Sequence, residues 1–260
     1  MRRILAFALA LPLLGIDGAL HRSPAEEFAS GGVGITVERF ASGGPGNRPA
    51  VILLHGADGP GSRYRAAAGQ VAAGGYNVFL VHYLNRTGQT RASYGTIHQN
   101  LPVWTGTVRD AIGYVQRQPG VDPGRIGLLG VSLGGGLALA AAQQDGRVRA
   151  VVDYFGFVPR GFGSGRLPPT LVLHGASDPI VPVSNAYALQ GILQARGVPH
   201  EVQIYPGQGH GFTGAAEADA SGRINAFFGR HLGGRAAPAG RSAIRSEGRG
   251  PASSRAGRGS

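Results

Sequence analysis

Residues 125–130 form a short strand-like run that passes directly through Gly130-Val131-Ser132-Leu133-Gly134 into residues 133–143, where Ala138, Leu139, Ala140, Ala141 and Ala142 favour helix. A strand that becomes a helix within so few residues must pack that helix back onto the sheet it has just left, which fixes a layered architecture. The pattern continues along the chain. Residues 51–54, 76–81, 150–154, 170–173 and 201–205 read as further strands, and residues 103–118, 185–196 and 215–228 as helices. In residues 103–118 the apolar side chains Val108, Ala111, Ile112 and Val115 fall at i, i+3, i+4 and i+7, the spacing of one buried helical face. This alternation predicts an α/β protein, a mostly parallel, doubly wound sheet with helices on both faces, in one domain over residues 26–232.

The glycines of Gly130-Val131-Ser132-Leu133-Gly134 have a steric reason. So sharp a turn strains the serine backbone and brings positions two residues either side against the neighbouring strand and helix, where a Cβ would clash. The turn holds Ser132 Oγ above the carboxyl edge of the sheet, beside the unpaired N–H groups of a helix start. A serine hydroxyl attacks poorly at neutral pH unless a base takes its proton and returns it to the leaving group, a task that suits histidine. Among eight histidines, His210 lies in Gly207-Gln208-Gly209-His210-Gly211-Phe212, a glycine-rich loop after the last expected strand. An acid should stand between serine and histidine in chain order, on a loop at the same sheet edge. Asp178, in His174-Gly175-Ala176-Ser177-Asp178-Pro179 after the strand ending at Leu173, meets that condition, with Asp153 as the rival acid. The backbone N–H groups of Ala57 and Leu133 are the expected oxyanion donors, Ala57 lying in Leu54-His55-Gly56-Ala57-Asp58-Gly59. His55 is read as a brace for that loop.

Taken in order and spacing, LLHGADG, GVSLGG, LHGASDPIVP and YPGQGHGF resemble the dienelactone hydrolase family over roughly residues 39–230. The resemblance implies an α/β-hydrolase fold without a large cap domain, a nucleophile, Asp, His triad and no cofactor. Family members that open dienelactones carry a cysteine where Ser132 stands, a glutamate where Gly56 stands, and an arginine shortly after the histidine, where Phe212, Thr213 and Gly214 offer none. Arg86, in His82-Tyr83-Leu84-Asn85-Arg86, resembles a carboxylate-binding arginine of the family and is the candidate substrate-binding residue. Cleavage of a carboxylic ester or lactone through an acyl-enzyme is the expected chemistry, with dienelactones themselves not the expected substrate. A serine peptidase or acyltransferase on the same triad, and a non-catalytic binding protein on this scaffold, are the alternatives.

Arg2 and Arg3 before the apolar residues 4–14 read as an export signal, with cleavage after Ala25 or, as a weaker site, after Ala19. The run is shorter than the about 20 residues a membrane span needs, so membrane attachment would require that the signal stay uncleaved; a cytosolic protein is the other alternative. The formal charge of +11 raises nucleic acid as a partner, but all 25 basic residues are arginine. Six of them, with Glu247 as the single acid, lie in residues 233–260, a Gly, Ser, Ala, Pro and Arg tail expected to be disordered. No nucleic acid is expected, and the partner is a small-molecule ester. The absence of cysteine excludes a thiol nucleophile and disulfides, and no His, Asp and Glu spacing suits a metal.

Overall fold

The computed structural model describes residues 20–43 and 46–233. Residues 1–19 of the expected export signal and all but the first residue of the Arg-rich tail lie outside that range. Leu20–Arg22, inside the segment read as signal, forms strand β1.

Among the described residues, nine strands make one sheet in the order β1-β3-β5-β4-β6-β7-β8-β9, with β2 paired to β3 off this path. β1, β2 (Glu26–Ser30) and β3 (Val33–Ser42) are antiparallel. From β5 (Asn77–Val81) through β4 (Arg48–Leu54), β6 (Val121–Val131), β7 (Val148–Tyr154), β8 (Thr170–Gly175) and β9 (His200–Tyr205), every pair is parallel. All these strands therefore end at one edge, where their following loops gather.

Alternation along the strands divides the core between the two faces. Ile52, Leu54, Phe79 and Val81 pack with Trp104, Val108 and Ile112 of helix α2 (Ile97–Gln116), with α3 (Leu133–Ala142) and with α4 (Ser184–Ala195). Val51, Leu53, Val78 and Leu80 pack with Tyr64, Ala68 and Val71 of helix α1 (Ser62–Ala73), and with Phe227 and Phe228 of α5 (Ala215–Leu232). The expected doubly wound sheet is present, with no large cap domain among the described residues. Helix α2 begins six residues earlier than expected and runs through Pro102, which lacks the N–H for one intrahelical bond. The strand feeding Ser132 begins at Val121 rather than residue 125.

Candidate active site

Ser132 sits between β6 and α3 at φ 56°, ψ −115°, one of two non-glycine residues at positive φ among the described residues. The surrounding glycines explain how the turn closes. A Cβ on Gly130 would stand 2.1 Å from the Gly134 carbonyl oxygen, and one on Gly134 would stand 2.2 Å from that of Leu54. Backbone atoms block both positions, so only glycine fits. The Ser132 N–H is held by the Tyr154 carbonyl at 2.9 Å, which fastens the turn to β7.

Three residues from three loops meet there. His210 Nε2 lies 2.8 Å from Ser132 Oγ, and His210 Nδ1 lies 2.7 Å from Asp178 Oδ2. A carboxylate oxygen accepts, so Nδ1 carries the proton and Nε2 is the lone pair facing the serine hydroxyl. Asp178 Oδ1 accepts from the backbone N–H groups of Ile180 and Val181 at 2.8 and 2.9 Å, which fixes the carboxylate from behind. Its side chain is fully buried, whereas that of His210 is 19% exposed and open to a substrate.

His174 is buried against the same acid. Its Nε2 donates to the Val181 carbonyl at 2.9 Å and stands 3.5 Å from Asp178 Oδ2. Burial pushes its pKa down, so it stays neutral and adds no competing charge to the acid. Asp153 takes no part in the cluster. It is buried on β7 with Oδ1 unpartnered, facing Gly135 and Gly156, where a Cβ would come within 2.2 and 2.0 Å of it. Burial pushes its carboxyl up to about 7.

The loop after β4 is braced at the carbonyls of His55, Gly56 and Ala57. Tyr83 Oη donates to the His55 oxygen at 2.8 Å, His55 Nδ1 and the Gly59 N–H donate to that of Gly56, and the Ala92 N–H donates to that of Ala57 at 2.8 Å. His55 is thus a brace in geometry, stacked on Tyr83 with ring centroids 4.3 Å apart and pushed down to about 4 by burial. Tyr64 Oη accepts from the Gly56 N–H at 2.9 Å and donates to Asp58 Oδ1 at 2.7 Å, while Arg63 pairs with Asp58 Oδ2. A Cβ on Gly56 would lie 2.8 Å from that hydroxyl and 3.5 Å from Ser132 Cβ, so the tyrosine occupies the space a side chain at 56 would need. Leu133 is the first residue of α3, and its N–H has no partner within the helix. A cleft of about 310 Å³ beside this loop is lined by Asp58, Pro60, His82, Asn85, Gln89 and Arg91, and none of Ser132, His210 and Asp178 lines it.

Arg86 is not drawn into the cluster. It lies in the short 3-10 helix Tyr83–Thr87, and its guanidinium packs over Gly31 in the turn between β2 and β3. Trp104 is wholly buried with Nε1 donating to Thr87 Oγ1, and Tyr94 is 71% exposed. Among the described residues no group of three or more His, Asp or Glu side chains could hold a metal ion, and no helix is long and apolar enough to cross a membrane.

The profile of the dienelactone hydrolase family matches residues 39–227, which span the sheet from β3 to α5 and all three clustered residues. The chain belongs to the dienelactone hydrolase family. Among curated relatives it is 32% identical over 120 residues to the quorum-quenching protein AidA of Acinetobacter baumannii, covering 45% of this chain and 38% of that protein. The chain spans about half the length or less of the curated relatives it matches. Among solved structures, this dienelactone hydrolase family member is similar to a dienelactone hydrolase-like promiscuous phosphotriesterase from metagenomic libraries. The TM-score is 0.75 at 19% identity, over 83% of this chain and 100% of the other. It is also similar to the Pyrococcus horikoshii acylaminoacyl peptidase, with TM-score 0.72 at 16% identity, over 82% of this chain and 42% of that one. At these identities the structural likenesses speak for the fold.

Proposed function

We propose that the protein is a serine hydrolase of small carboxylic esters or lactones, working through an acyl-enzyme. The observation that carries this reading is the continuous chain of contacts from Ser132 Oγ to His210 to Asp178 on a strained strand-to-helix turn. Ser132 Oγ attacks the ester carbonyl carbon while its proton passes to His210 Nε2, and the carbonyl π electrons move to oxygen. The oxyanion is held by the N–H groups of Ala57 and Leu133. Collapse of the tetrahedral species breaks the bond to the alkoxy group, which leaves with the proton from Nε2. Water, deprotonated by the same nitrogen, then attacks the acyl carbon, and collapse of the second tetrahedral species breaks its bond to Ser132 Oγ, which takes the proton back from Nε2 as the acid is released. Asp178 keeps the imidazole in the tautomer with Nε2 free and stabilises the imidazolium formed twice in the cycle. Residues 1–25 are read as an export signal, which would put this chemistry outside the cytoplasm.

The test is hydrolysis of short-chain p-nitrophenyl esters by the purified protein beside Ser132→Ala, with p-nitroanilides of the same acyl groups in parallel. Ester turnover that falls by about 10⁴-fold or more in the variant supports the reading. Anilide cleavage at comparable kcat/KM would favour a peptidase on the same triad. Folded wild-type protein without turnover on any of these substrates would favour a binding role.

A further inference from the structure

Phe155 is the other non-glycine residue at positive φ among the described residues, with φ 44° immediately after β7, and a bulky aromatic there is an outlier whose strain a glycine at the same position would relieve. Glycine stands next to it at Gly156, yet the strained position keeps the phenylalanine. Its ring is buried, with its centroid 4.6 Å from that of His210, and Phe212 packs edge-on to it at 5.5 Å. The strained backbone is fastened on both sides: the Tyr154 carbonyl holds the Ser132 N–H at 2.9 Å, and the Phe155 N–H donates to the Leu173 carbonyl of β8 at 2.7 Å. β8 leads into the loop that carries Asp178. One dipeptide therefore touches all three arms of the cluster, through its carbonyl, its N–H and its ring.

A geometric need matches this arrangement. Hydrogen bonds at Nδ1 and Nε2 hold the two nitrogens of His210 but tolerate misalignment of a few tens of degrees, which leaves the ring some latitude in χ1 and χ2. Packing against the face of the ring narrows that latitude and so sets the direction of the Nε2 lone pair. We infer that Phe155 is a positioning residue that supplies this contact, and that its left-handed backbone is retained because it aims the ring at His210. The inference rests on the Ser132, His210, Asp178 reading and adds to it a residue that neither accepts nor donates a proton. Misalignment of a base by a fraction of an ångström slows proton transfer without changing how substrate binds, so the effect belongs in kcat rather than KM.

The experiment compares wild-type protein with Phe155→Leu, which keeps apolar bulk but not the ring, and with Phe155→Tyr, which keeps the ring. Thermal unfolding establishes that each is folded, and Phe155→Met replaces the leucine variant if that one is not. Expected is a fall in kcat of about 10- to 100-fold at unchanged KM in Phe155→Leu, with recovery to near wild-type in Phe155→Tyr. A second readout needs no substrate: the low-field proton resonance of His210 Nδ1–H, present in wild type, should broaden into exchange with water in Phe155→Leu and return in Phe155→Tyr. Wild-type kcat and an intact resonance in folded Phe155→Leu would overturn the inference, as would a loss that tracks only the folded fraction. Were wild-type protein itself to lack turnover, the hydrolase reading would fall and the resonance would still decide the role of Phe155.

Discussion

A serine hydroxyl, an imidazole and a carboxylate are weak reagents separately, and here His210 stands within hydrogen-bond distance of both Ser132 and Asp178. Asp178 receives two backbone N–H groups on one oxygen and His210 on the other, so it can hold the imidazole only as an acceptor. Asp178→Asn would present an amide N–H or a weaker acceptor to Nδ1 and favour the wrong tautomer. It should leave the fold intact and lower kcat by about 10⁴-fold, measured by steady-state ester hydrolysis; a loss of less than tenfold would remove the acid from the mechanism. Ser132, Asp178 and His210 were legible in the sequence because each lies in a short motif whose glycines serve the local turn. Phe155, Tyr64 and Tyr83 were not, because an aromatic residue acquires such a role only from the strands that happen to adjoin it. For Arg86 the family resemblance passes on a position, but the direction of a long, flexible side chain is settled by its surroundings, here the open turn at Gly31.

The elements that carry the site are those whose ends face a common edge. β6, β7 and β8 were legible as apolar runs because strands buried on both faces need continuous hydrophobicity. The antiparallel edge was missed. β3 reads Val-Gly-Ile-Thr-Val-Glu-Arg-Phe-Ala-Ser, an alternation interrupted by Glu38, and Glu38 is buried only because Arg22 of β1, Arg65 of α1 and His82 converge on it. Helix α1 has little apolar contrast, being mostly alanine with arginine, and its packing face appears only once Tyr64 and Val71 meet the sheet. The turn before α3 is where element geometry is least forgiving. Gly134→Ala would drive a methyl group to 2.2 Å from the Leu54 carbonyl oxygen, and neither β4 nor α3 can yield cheaply. It should cost about 3 kcal/mol or more in urea unfolding. Gly106→Ala, in helix α2 with nothing within 4 Å, should instead stabilise by about 0.5–1 kcal/mol. Equal unfolding midpoints for the two variants would contradict the packing described.

Over the whole molecule, the buried acids give stability a pH dependence that the sequence could not show. Asp153 has its carboxyl pushed up to about 7 by burial, from an ordinary value of 3.8. Between these values the native state keeps a proton that the unfolded chain has released, so stability falls as pH rises from about 4 to about 7 and is level above. The loss amounts to a few kcal/mol at about 1.4 kcal/mol per unit. Asp153→Asn should flatten that slope in urea titrations at pH 5 and 8, and parallel slopes would refute the assignment. Glu38 works in a separate window. Burial pushes its carboxyl up, but Arg65 and His82 outweigh that and hold it below 4.5, so its contribution is present above 4.5 and lost as pH falls below. The fold class was legible from alternation alone, whereas these internal charges depend on which strands and helices converge. The proposed activation of Ser132 is tested by reaction of the intact protein with a fluorophosphonate, followed by mass measurement and peptide mapping. One adduct is expected, on Ser132, absent in Ser132→Ala and formed far more slowly in His210→Ala. Folded protein that took no adduct, or took it on another residue, would contradict the account.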